Sequence, residues 1–201
     1  MNTMLLSVLL ITMTTTVVLA LPDGAPVGAC EGGSNIVPLH NRLNNTATGA
    51  VPFTVDISDV GNSYRPGINY TIVLRGGTTN TNFRGFMIQG RVMADDSPAG
   101  TFDDDESAPD YQIRCNQATA ATHTGREEKT MVELLWIAPA SGTGAIYFRY
   151  AFVDRYEPTN NMNMYWANLN TNSVMESGAG HGATAPIVLV VILTTLLMLL
   201  I

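Results

Sequence analysis

The chain of 201 residues carries 17 Asp or Glu and 10 Lys or Arg residues, which gives a formal net charge of −7 at pH 7. Binding to the phosphates of a nucleic acid requires a basic surface, so we expect no nucleic-acid partner. Between its two apolar ends the chain retains roughly 155 residues, enough for one domain with a hydrophobic core.

The first 20 residues predict a secretory signal peptide. They are apolar from Met4 onward and carry no charged side chain. Val18 and Ala20 occupy the −3 and −1 positions of a natural cleavage point, which places the start of the mature chain at Leu21. An uncleaved membrane anchor is the alternative to this interpretation.

The two cysteines of the sequence, Cys30 and Cys115, both follow the predicted signal peptide. In an oxidising compartment they are expected to form one disulfide, and two free buried thiols are the alternative. Two Asn-x-Thr sequences, at Asn44 and Asn69, predict N-linked glycosylation of a secreted glycoprotein. Asn44 lies in a polar, loop-like stretch, whereas Asn69 lies at the start of a predicted strand.

Short strands separated by turns dominate the middle of the chain. Alternating or β-branched apolar residues predict strands at residues 51–60, 70–74, 86–93, 131–137 and 144–153. Turn signals from Gly and Pro separate these strands at residues 65–67, 97–100 and 139–142. No segment has the pattern of a long amphipathic helix, and no internal repeat is found. This arrangement predicts an all-β fold, an antiparallel β-sandwich.

The last part of the sequence predicts attachment to a membrane. Residues 186–201 are apolar without a charged side chain, and the preceding residues 169–185 form a predicted flexible spacer that contains the small residues SGAG. Small residues, a spacer and an apolar tail are typical of a glycolipid (GPI) anchor signal, with Ser177 as the preferred attachment residue. A retained transmembrane tail is the alternative, since the spacer is shorter than is usual for such a signal.

Ordered sequence signatures between these ends resemble the reeler (reelin N-terminal-like) domain family. They are GAP at residues 24–26, AC at 29–30, PLH at 38–40, YRPG at 64–67, FRGFMIQGR at 83–91, GTF at 100–102, THT at 122–124 and WIAP at 136–139. The resemblance covers a predicted domain of residues 21–168 and implies an immunoglobulin-like β-sandwich. The sequence departs from the family pattern at Gly90, where Ala is common, and at the acidic residues 103–106.

Neither the histidines nor the acidic residues have the spacing of a metal site. His40 and His123 are expected to form structural hydrogen bonds, with a metal-ligand role as the alternative, and His181 lies in the spacer. The acidic residues at 95–96, 103–106 and 110 are expected to form solvated surface loops, with calcium binding as the alternative. We therefore expect no metal site and no cofactor.

The sequence offers no constellation typical of catalysis. It has no G-x-S-x-G motif and no His beside a Ser, so the chain is not expected to be an enzyme. Arg84 and Arg91 are expected to brace turns or to pair with carboxylates inside the domain. Residues 162–166 are expected to form a closing strand whose Met and Trp side chains pack on the core, rather than a copper site.

The resemblance implies a non-catalytic extracellular protein, secreted or held at the outer face of the plasma membrane. The single-domain insect-type defence proteins of the family imply a role in recognition or innate immunity. The reelin and spondin relatives imply the alternative of an adhesion or matrix-interaction module, and the ferric-chelate reductases imply an accessory protein of metal or redox biology. The expected partners are the membrane and an extracellular ligand on a microbial surface, a matrix or a receptor.

Overall fold

A computed structural model of the chain describes residues 24–26, 28–31, 36, 49–78, 81–103, 110–155 and 164–178. The elements in chain order are α1 (Gly28–Glu31), β1 (Phe53–Asp56), β2 (Ser63–Tyr64), β3 (Asn69–Gly76), β4 (Gly85–Val92), β5 (Thr101–Phe102), β6 (Tyr111–Arg114), a 3-10 helix (Asn116–Ala118), β7 (Ala120–His123), β8 (Met131–Ile137), β9 (Ile146–Arg155), β10 (Met164–Asn170) and β11 (Met175–Glu176). Within these described ranges no helix is long and apolar enough to cross a membrane. The predicted signal peptide and the apolar tail at residues 186–201 lie outside the described residues.

Two antiparallel sheets form the body of the domain. One has the strand order β1-β3-β8-β5, and the other has the order β10-β9-β4-β7-β6. A short parallel pair joins β2 to β11. Strands that follow one another along the chain often lie in different sheets, so the chain crosses repeatedly between the two layers. The prediction of an antiparallel β-sandwich is confirmed.

Aromatic side chains from both sheets fill the space between them. Along β8 the strand alternation buries every second side chain, among them Trp136. The ring of Trp136 lies 4.9 Å from the ring of Phe148 in β9, and the ring of Phe53 in β1 lies 5.3 Å from that of Trp166 in β10. Both pairs meet edge to face and join one sheet to the other, a geometry that adds about 0.5–1.5 kcal/mol per pair beyond simple burial.

The strand bounds agree closely with the sequence pattern except in β1. β8 has the predicted bounds, and β4 and β9 are displaced by one and two residues from the predicted strands. β1 ends at Asp56, because Ser58 N donates a hydrogen bond to Asp56 Oδ1 at 2.9 Å and Val60 N donates to Ile57 O at 3.0 Å. These bonds form a turn, so the prediction of a strand up to residue 60 is wrong. Val60 still reaches the core, from the turn.

Strand β4 is buried on both faces, which is uncommon in an antiparallel sheet. Phe86 and Ile88 face the other sheet, and Met87 faces away from it. Ala29 and Ile36 from the N-terminal part of the chain pack in the same cluster as Met87. The described residues 24–26, 28–31 and 36, which we call the N-terminal strap, thus form a third layer over the five-stranded sheet.

A disulfide fixes the N-terminal strap to the sheet. Cys30 is bonded to Cys115, directly after the edge strand β6, with the two Cα atoms 5.5 Å apart. The pairing is the one expected from the cysteine count. In the entropic account, closing a loop between residues 85 apart stabilises the fold by about 4.5 kcal/mol. Two backbone N–H groups of the strap also donate to side chains of the sheet: Ala25 N to Thr122 Oγ1 at 3.0 Å, and Ile36 N to Asn168 Oδ1 at 2.8 Å.

The domain extends beyond the predicted boundary at residue 168. β10 continues to Asn170, Val174 pairs with Ile146 of β9, and β11 pairs with β2. Val174 is almost fully buried in the core. Residues 169–178, predicted as part of a flexible spacer, therefore belong to the sandwich. Their pairings are an isolated bridge and a strand of two residues, which are too short to give a periodic sequence pattern.

Candidate functional site

One end of the sandwich brings the FRGF and THT sequences together. Phe86 N donates a hydrogen bond to Nδ1 of His123 at 3.1 Å. Gly85 lies against this ring, since a Cβ added there would be 2.9 Å from Cε1 of His123. Phe83 pairs with Lys129 through backbone hydrogen bonds of 2.9 and 2.8 Å. We call residues 82–85 and 123–130 the charged end.

His123 is a structural residue of the charged end. Its ring lies 6.1 Å from the ring of Phe86, and the neighbouring Thr122 Oγ1 donates to Phe86 O at 2.6 Å. The prediction of structural hydrogen bonding is confirmed for this histidine. His40 and His181 lie outside the described residues.

A buried lysine holds the loop between β7 and β8. Lys129 is only 6 % exposed. Its Nζ donates to Gly125 O at 3.0 Å and to Glu127 O at 2.9 Å. Burial lowers the pKa of Lys129, against the opposing influence of the negative charges of Asp110 and Glu127. Two carbonyl groups of one short loop are thus fixed by one cation, which orders residues 124–129.

The fixed loop presents charges of both signs to solvent. Arg126, Glu127 and Glu128 are exposed. Arg84 Nη2 lies 2.9 Å from Glu128 Oε1, and Asn82 Nδ2 donates to Glu128 Oε2 at 3.1 Å. The Arg84 and Glu128 side chains are 42 % and 54 % exposed, so this ion pair adds less than about 1 kcal/mol to stability. A pre-ordered loop with exposed charges is suited to contact a partner at a low cost in conformational entropy.

Sequence reasoning expected Arg84 to brace a turn or to pair with a carboxylate, and the structure shows the second, a pair with Glu128. It missed the loop that Lys129 organises. The one available signal was composition, because Lys129 is the only Lys among ten basic residues. An ammonium group donates in three directions and suits a cluster of backbone carbonyls, whereas the planar guanidinium of Arg suits carboxylates.

A second charged group lies on the outer face of the five-stranded sheet. Asp96 Oδ2 accepts from Arg149 Nη1 at 2.8 Å, its Oδ1 accepts from the Tyr147 hydroxyl, and its carbonyl accepts from Arg91 Nη1 at 2.7 Å. Burial acts to raise the pKa of Asp96, but hydrogen bonds from Tyr147 and Arg149 and the adjacent positive charges outweigh it and lower the pKa. The group joins the turn after β4 to strand β9, as expected for Arg91.

Asp95 closes a local turn. Asp95 Oδ1 accepts from the backbone N–H of Ser97 at 3.0 Å and from its hydroxyl at 2.6 Å. Residues 104–109, which include Asp104, Asp105 and Glu106, lie outside the described residues. Among the residues that are described, no three His, Cys, Asp or Glu side chains are grouped so as to hold a metal ion.

The opposite end of the sandwich is held by a carboxylate. Glu176 Oε1 accepts from Gly142 N at 2.9 Å, and Glu176 Oε2 accepts from Gly144 N at 2.9 Å. These backbone donors lower the pKa of Glu176. The hydroxyl of Tyr64 donates to Gly144 O at 2.7 Å, and burial followed by the charge of Glu176 raises the pKa of Tyr64 to about 12. Ser177, the predicted attachment residue, donates from its N and its hydroxyl to Tyr64 O.

The sequence signatures therefore occupy defined structural positions: FRGF and THT meet at the charged end, and WIAP places Trp136 in the core, where its Nε1 donates to Ala99 O at 3.3 Å. A sequence model of the reeler domain matches residues 29–181. The chain belongs to the reeler domain family. This match begins within the N-terminal strap and extends past β11, so it covers both cysteines and residues 169–178.

Two moth proteins named for a role in defence resemble this reeler protein over most of their length. The protein from Bombyx mori is 30 % identical over 152 residues, which are 73 % of this chain and 84 % of the moth protein. The protein from Antheraea mylitta is 30 % identical over 139 residues, or 79 % of its length. Ferric-chelate reductase 1 of Mus musculus is 26 % identical over 178 residues, but this reeler chain spans only 27 % of the reductase.

Solved reeler domains have the same fold. The human F-spondin reeler domain superposes with a TM-score of 0.54 at 22 % identity, covering 69 % of this chain and 96 % of the spondin fragment. The Reelin-N domain of F-spondin superposes with a TM-score of 0.52 at 23 % identity, covering 66 % and 91 %. Together with the disulfide, which requires an oxidising compartment, the family identifies an extracellular reeler protein.

Two other predictions concern single residues of the reeler domain. Asn69 is exposed at the start of β3, a position open to a glycosyltransferase, and its glycosylation remains a prediction; Asn44 lies outside the described residues. Trp166 packs in the core as expected for the closing strand. Met164, the first residue of β10, is 40 % exposed, so the expectation that its side chain packs on the core is wrong.

Proposed function

We propose that this chain is a non-catalytic reeler protein of innate defence, anchored at the cell surface, which recognises a microbial surface. The main support for the proposal is the fraction of each relative's length that this chain covers. The chain covers 84 % of the defence-named protein from Bombyx mori, but only about a quarter of the ferric-chelate reductases. The defence-named proteins are matched over most of their length and the reductases over a small part of theirs, so a function of the first kind is favoured.

The charged end supplies the proposed contact surface. Its loop is ordered by the buried ammonium of Lys129, and it presents Arg126, Glu127 and Glu128 to solvent. Charges held on an ordered loop make recognition specific, because they match only a complementary arrangement of charges and hydrogen-bonding groups on the partner.

Retention on microbial cells tests this proposal. Purified protein is incubated with washed bacteria, and the bound fraction is measured after sedimentation. Arg126→Ala is expected to reduce the bound fraction several-fold, whereas Arg65→Ala, an exposed arginine outside the charged end, is the matched control and is expected to bind as the unchanged protein does. Equal binding of the two variants would place recognition elsewhere. Absence of binding to bacteria, with retention on immobilised matrix glycans, would favour an adhesion function instead.

Surface anchoring is tested separately on intact expressing cells. Treatment with a phosphatidylinositol-specific phospholipase is expected to release the protein if the glycolipid is attached near Ser177. Persistence on the cells after treatment would favour a membrane helix formed by residues 186–201. Protein found in the medium without enzyme treatment would contradict anchoring of either kind and would favour a secreted effector.

A further inference from the structure

Exposed apolar side chains lie at the end of the sandwich opposite the charged end. Ile68, Met93 and Met175 are 48 %, 58 % and 51 % exposed. Backbone hydrogen bonds place their segments around the loop at residues 138–145: Ala138 N to Ile68 O at 2.9 Å, Met93 N to Ala145 O at 2.8 Å, and Val174 N to Ile146 O at 2.7 Å. The loop sequence, APASGTGA, contains no ionisable side chain. We call the three side chains and this loop the uncharged tip.

The chain leaves the sandwich beside the uncharged tip. Glu176 is bonded to Gly142 and Gly144 of the tip, and the described residues end two positions later at Gly178. Residues 179–201 contain no Asp, Glu, Lys or Arg, and their continuous apolar run begins at Pro186. If the tail is retained, the seven residues 179–185 can span at most about 25 Å when fully extended. If a glycolipid replaces the tail at Ser177, its attachment residue directly follows Glu176, which is bonded to the tip. Either predicted anchor therefore begins beside the uncharged tip.

We propose that the uncharged tip rests on the lipid bilayer to which the chain is anchored, with Ile68, Met93 and Met175 in contact with phospholipid. The inference depends on the anchoring proposed above. Apolar side chains gain free energy when they leave water. The loop itself has no ionisable side chain. The carboxylate of Glu176 is only 8 % exposed and is already bonded to Gly142 N and Gly144 N, so contact with lipid removes little further water from it. The tether and the apolar tail select lipid as the occupant, rather than another protein.

Charged and modifiable residues lie at the margin of the tip and do not block this contact. Arg65 is exposed and suits the phosphate of a phospholipid headgroup. Asp95 is exposed, and its carboxylate is bonded to Ser97. Ile72 points into the core, and Asn69, three positions earlier on the same strand, points to the opposite side. Asn69 therefore lies on the outer face of the four-stranded sheet. A glycan on Asn69 would therefore project sideways, not between the tip and the bilayer.

Methionine oxidation tests the contact, because the chain provides its own controls. Met93 and Met175 belong to the tip, whereas Met131 and Met164, 49 % and 40 % exposed, lie at the opposite end of the sandwich. Protein purified from expressing cells is reconstituted in phosphatidylcholine vesicles and treated with hydrogen peroxide, and the sulfoxide at each methionine is measured by peptide mass spectrometry. For each methionine, the oxidation rate on vesicles is divided by its rate in guanidinium. This ratio is expected to be several-fold lower for the two tip methionines than for the other two.

Vesicle flotation and two variants make the outcomes distinct. If the protein floats with the vesicles but all four methionines oxidise alike, the contact is wrong while anchoring stands. If the protein does not float, anchoring fails and the contact fails with it. Ile68→Asp is expected to restore oxidation of Met93 and Met175, because it places a charge in the tip. Met131→Asp alters a side chain of nearly equal exposure at the other end and is expected to leave the protection unchanged; loss of protection in both variants would contradict the contact.

Discussion

The two ends of the sandwich are held by buried charges of opposite sign. At the charged end, the ammonium of Lys129 donates to two backbone carbonyls, Gly125 O and Glu127 O. At the other end, the carboxylate of Glu176 accepts from two backbone N–H groups, Gly142 N and Gly144 N. In each case one side chain forms hydrogen bonds with backbone groups of a short loop, and these groups are not paired in a strand. The difference in sign determines which end responds to acid.

The comparison also separates the roles of the two loops. The Lys129 loop carries exposed Arg126, Glu127 and Glu128, whereas the loop around Glu176 consists of small, uncharged residues. A buried cation therefore supports a charged surface, and a buried anion supports an apolar one. The first suits recognition of a soluble or microbial partner, and the second suits contact with lipid.

The largest expected loss in the free energy of unfolding comes from disturbing the packing next to the uncharged tip. Gly100 has φ of 69°, and a Cβ added there would be 2.5 Å from both Ile137 O and Trp136 Nε1. Gly100→Ala is expected to lower the free energy of unfolding by about 3 kcal/mol, because it combines overpacking with an unfavourable backbone angle. Gly142→Ala is the control, since φ is 87° there but no atom lies within 4 Å; it is expected to cost about 1 kcal/mol in a denaturant titration. Equal losses would show that packing on Trp136 is unimportant.

Removing the buried cation is expected to destabilise the loop of the charged end. Lys129→Met keeps most of the length of the side chain but leaves Gly125 O and Glu127 O without their donor. We expect a loss of about 2 kcal/mol in the free energy of unfolding and faster hydrogen exchange in residues 124–130. Arg126→Ala changes an exposed residue of the same loop and is expected to stay within about 0.5 kcal/mol of the unchanged protein. A Lys129→Met protein as stable as this control would contradict the role given to the ammonium.

Acid is expected to open one end and not the other. Backbone donors hold the pKa of Glu176 in the folded protein below its usual 4.5, so the stability that the carboxylate supplies is present above that value and is lost as pH falls through the folded pKa. Lys129 stays protonated as pH falls, and its lowered pKa gives no loss in acid. Hydrogen exchange of Gly142 and Gly144 is therefore expected to accelerate on acidification, after correction for intrinsic rates, while that of Gly125 is unchanged. In Glu176→Gln this acid-dependent difference should disappear; its persistence would point to another carboxylate.

The smallest expected effect concerns the exposed ion pair of the charged end. A double-mutant cycle between Arg84→Ala and Glu128→Ala is expected to give a coupling free energy below about 0.5 kcal/mol, because both side chains are largely in solvent. The same cycle for Arg149 and Asp96, whose side chains are 12 % and 30 % exposed, is expected to give a larger coupling. The reverse order would mean that burial does not decide the strength of these pairs.

The sequence pattern predicted the sandwich and most of its long strands because each long strand repeats the alternation of buried and exposed residues several times. β8 is an example, with buried Val132, Leu134 and Trp136 at every second position. The same rule failed at residues 57–60, where an apolar and polar alternation belongs to a turn closed by Asp56 and Ser58. It failed again at residues 169–178, whose pairings are too short to alternate.

Contacts in the candidate sites were predictable only for residues, such as Cys and Arg, whose chemistry restricts the kind of partner they bind. The two cysteines allowed a single disulfide, and a carboxylate was one of the two kinds of contact expected for Arg84. Lys129 and Glu176 could not be found in this way, since their partners are backbone groups and any sequence supplies those. Lys129 bonds to carbonyls two and four residues before it, and Glu176 bonds to a loop more than thirty residues before it. Neither contact leaves a motif, because a backbone partner can have any side chain.

The N-terminal strap determines where this protein can be made. Met87, Ala120 and Ala151 form an apolar outer face on the five-stranded sheet, which the strap covers through Ala29 and Ile36. In a reducing cytosol the link between Cys30 and Cys115 would not form, and the strap would be retained chiefly by a few hydrogen bonds and this small apolar contact. The uncovered face would then be available for association between chains, so we expect cytosolic expression to yield aggregates and expression through the secretory route to yield monodisperse protein.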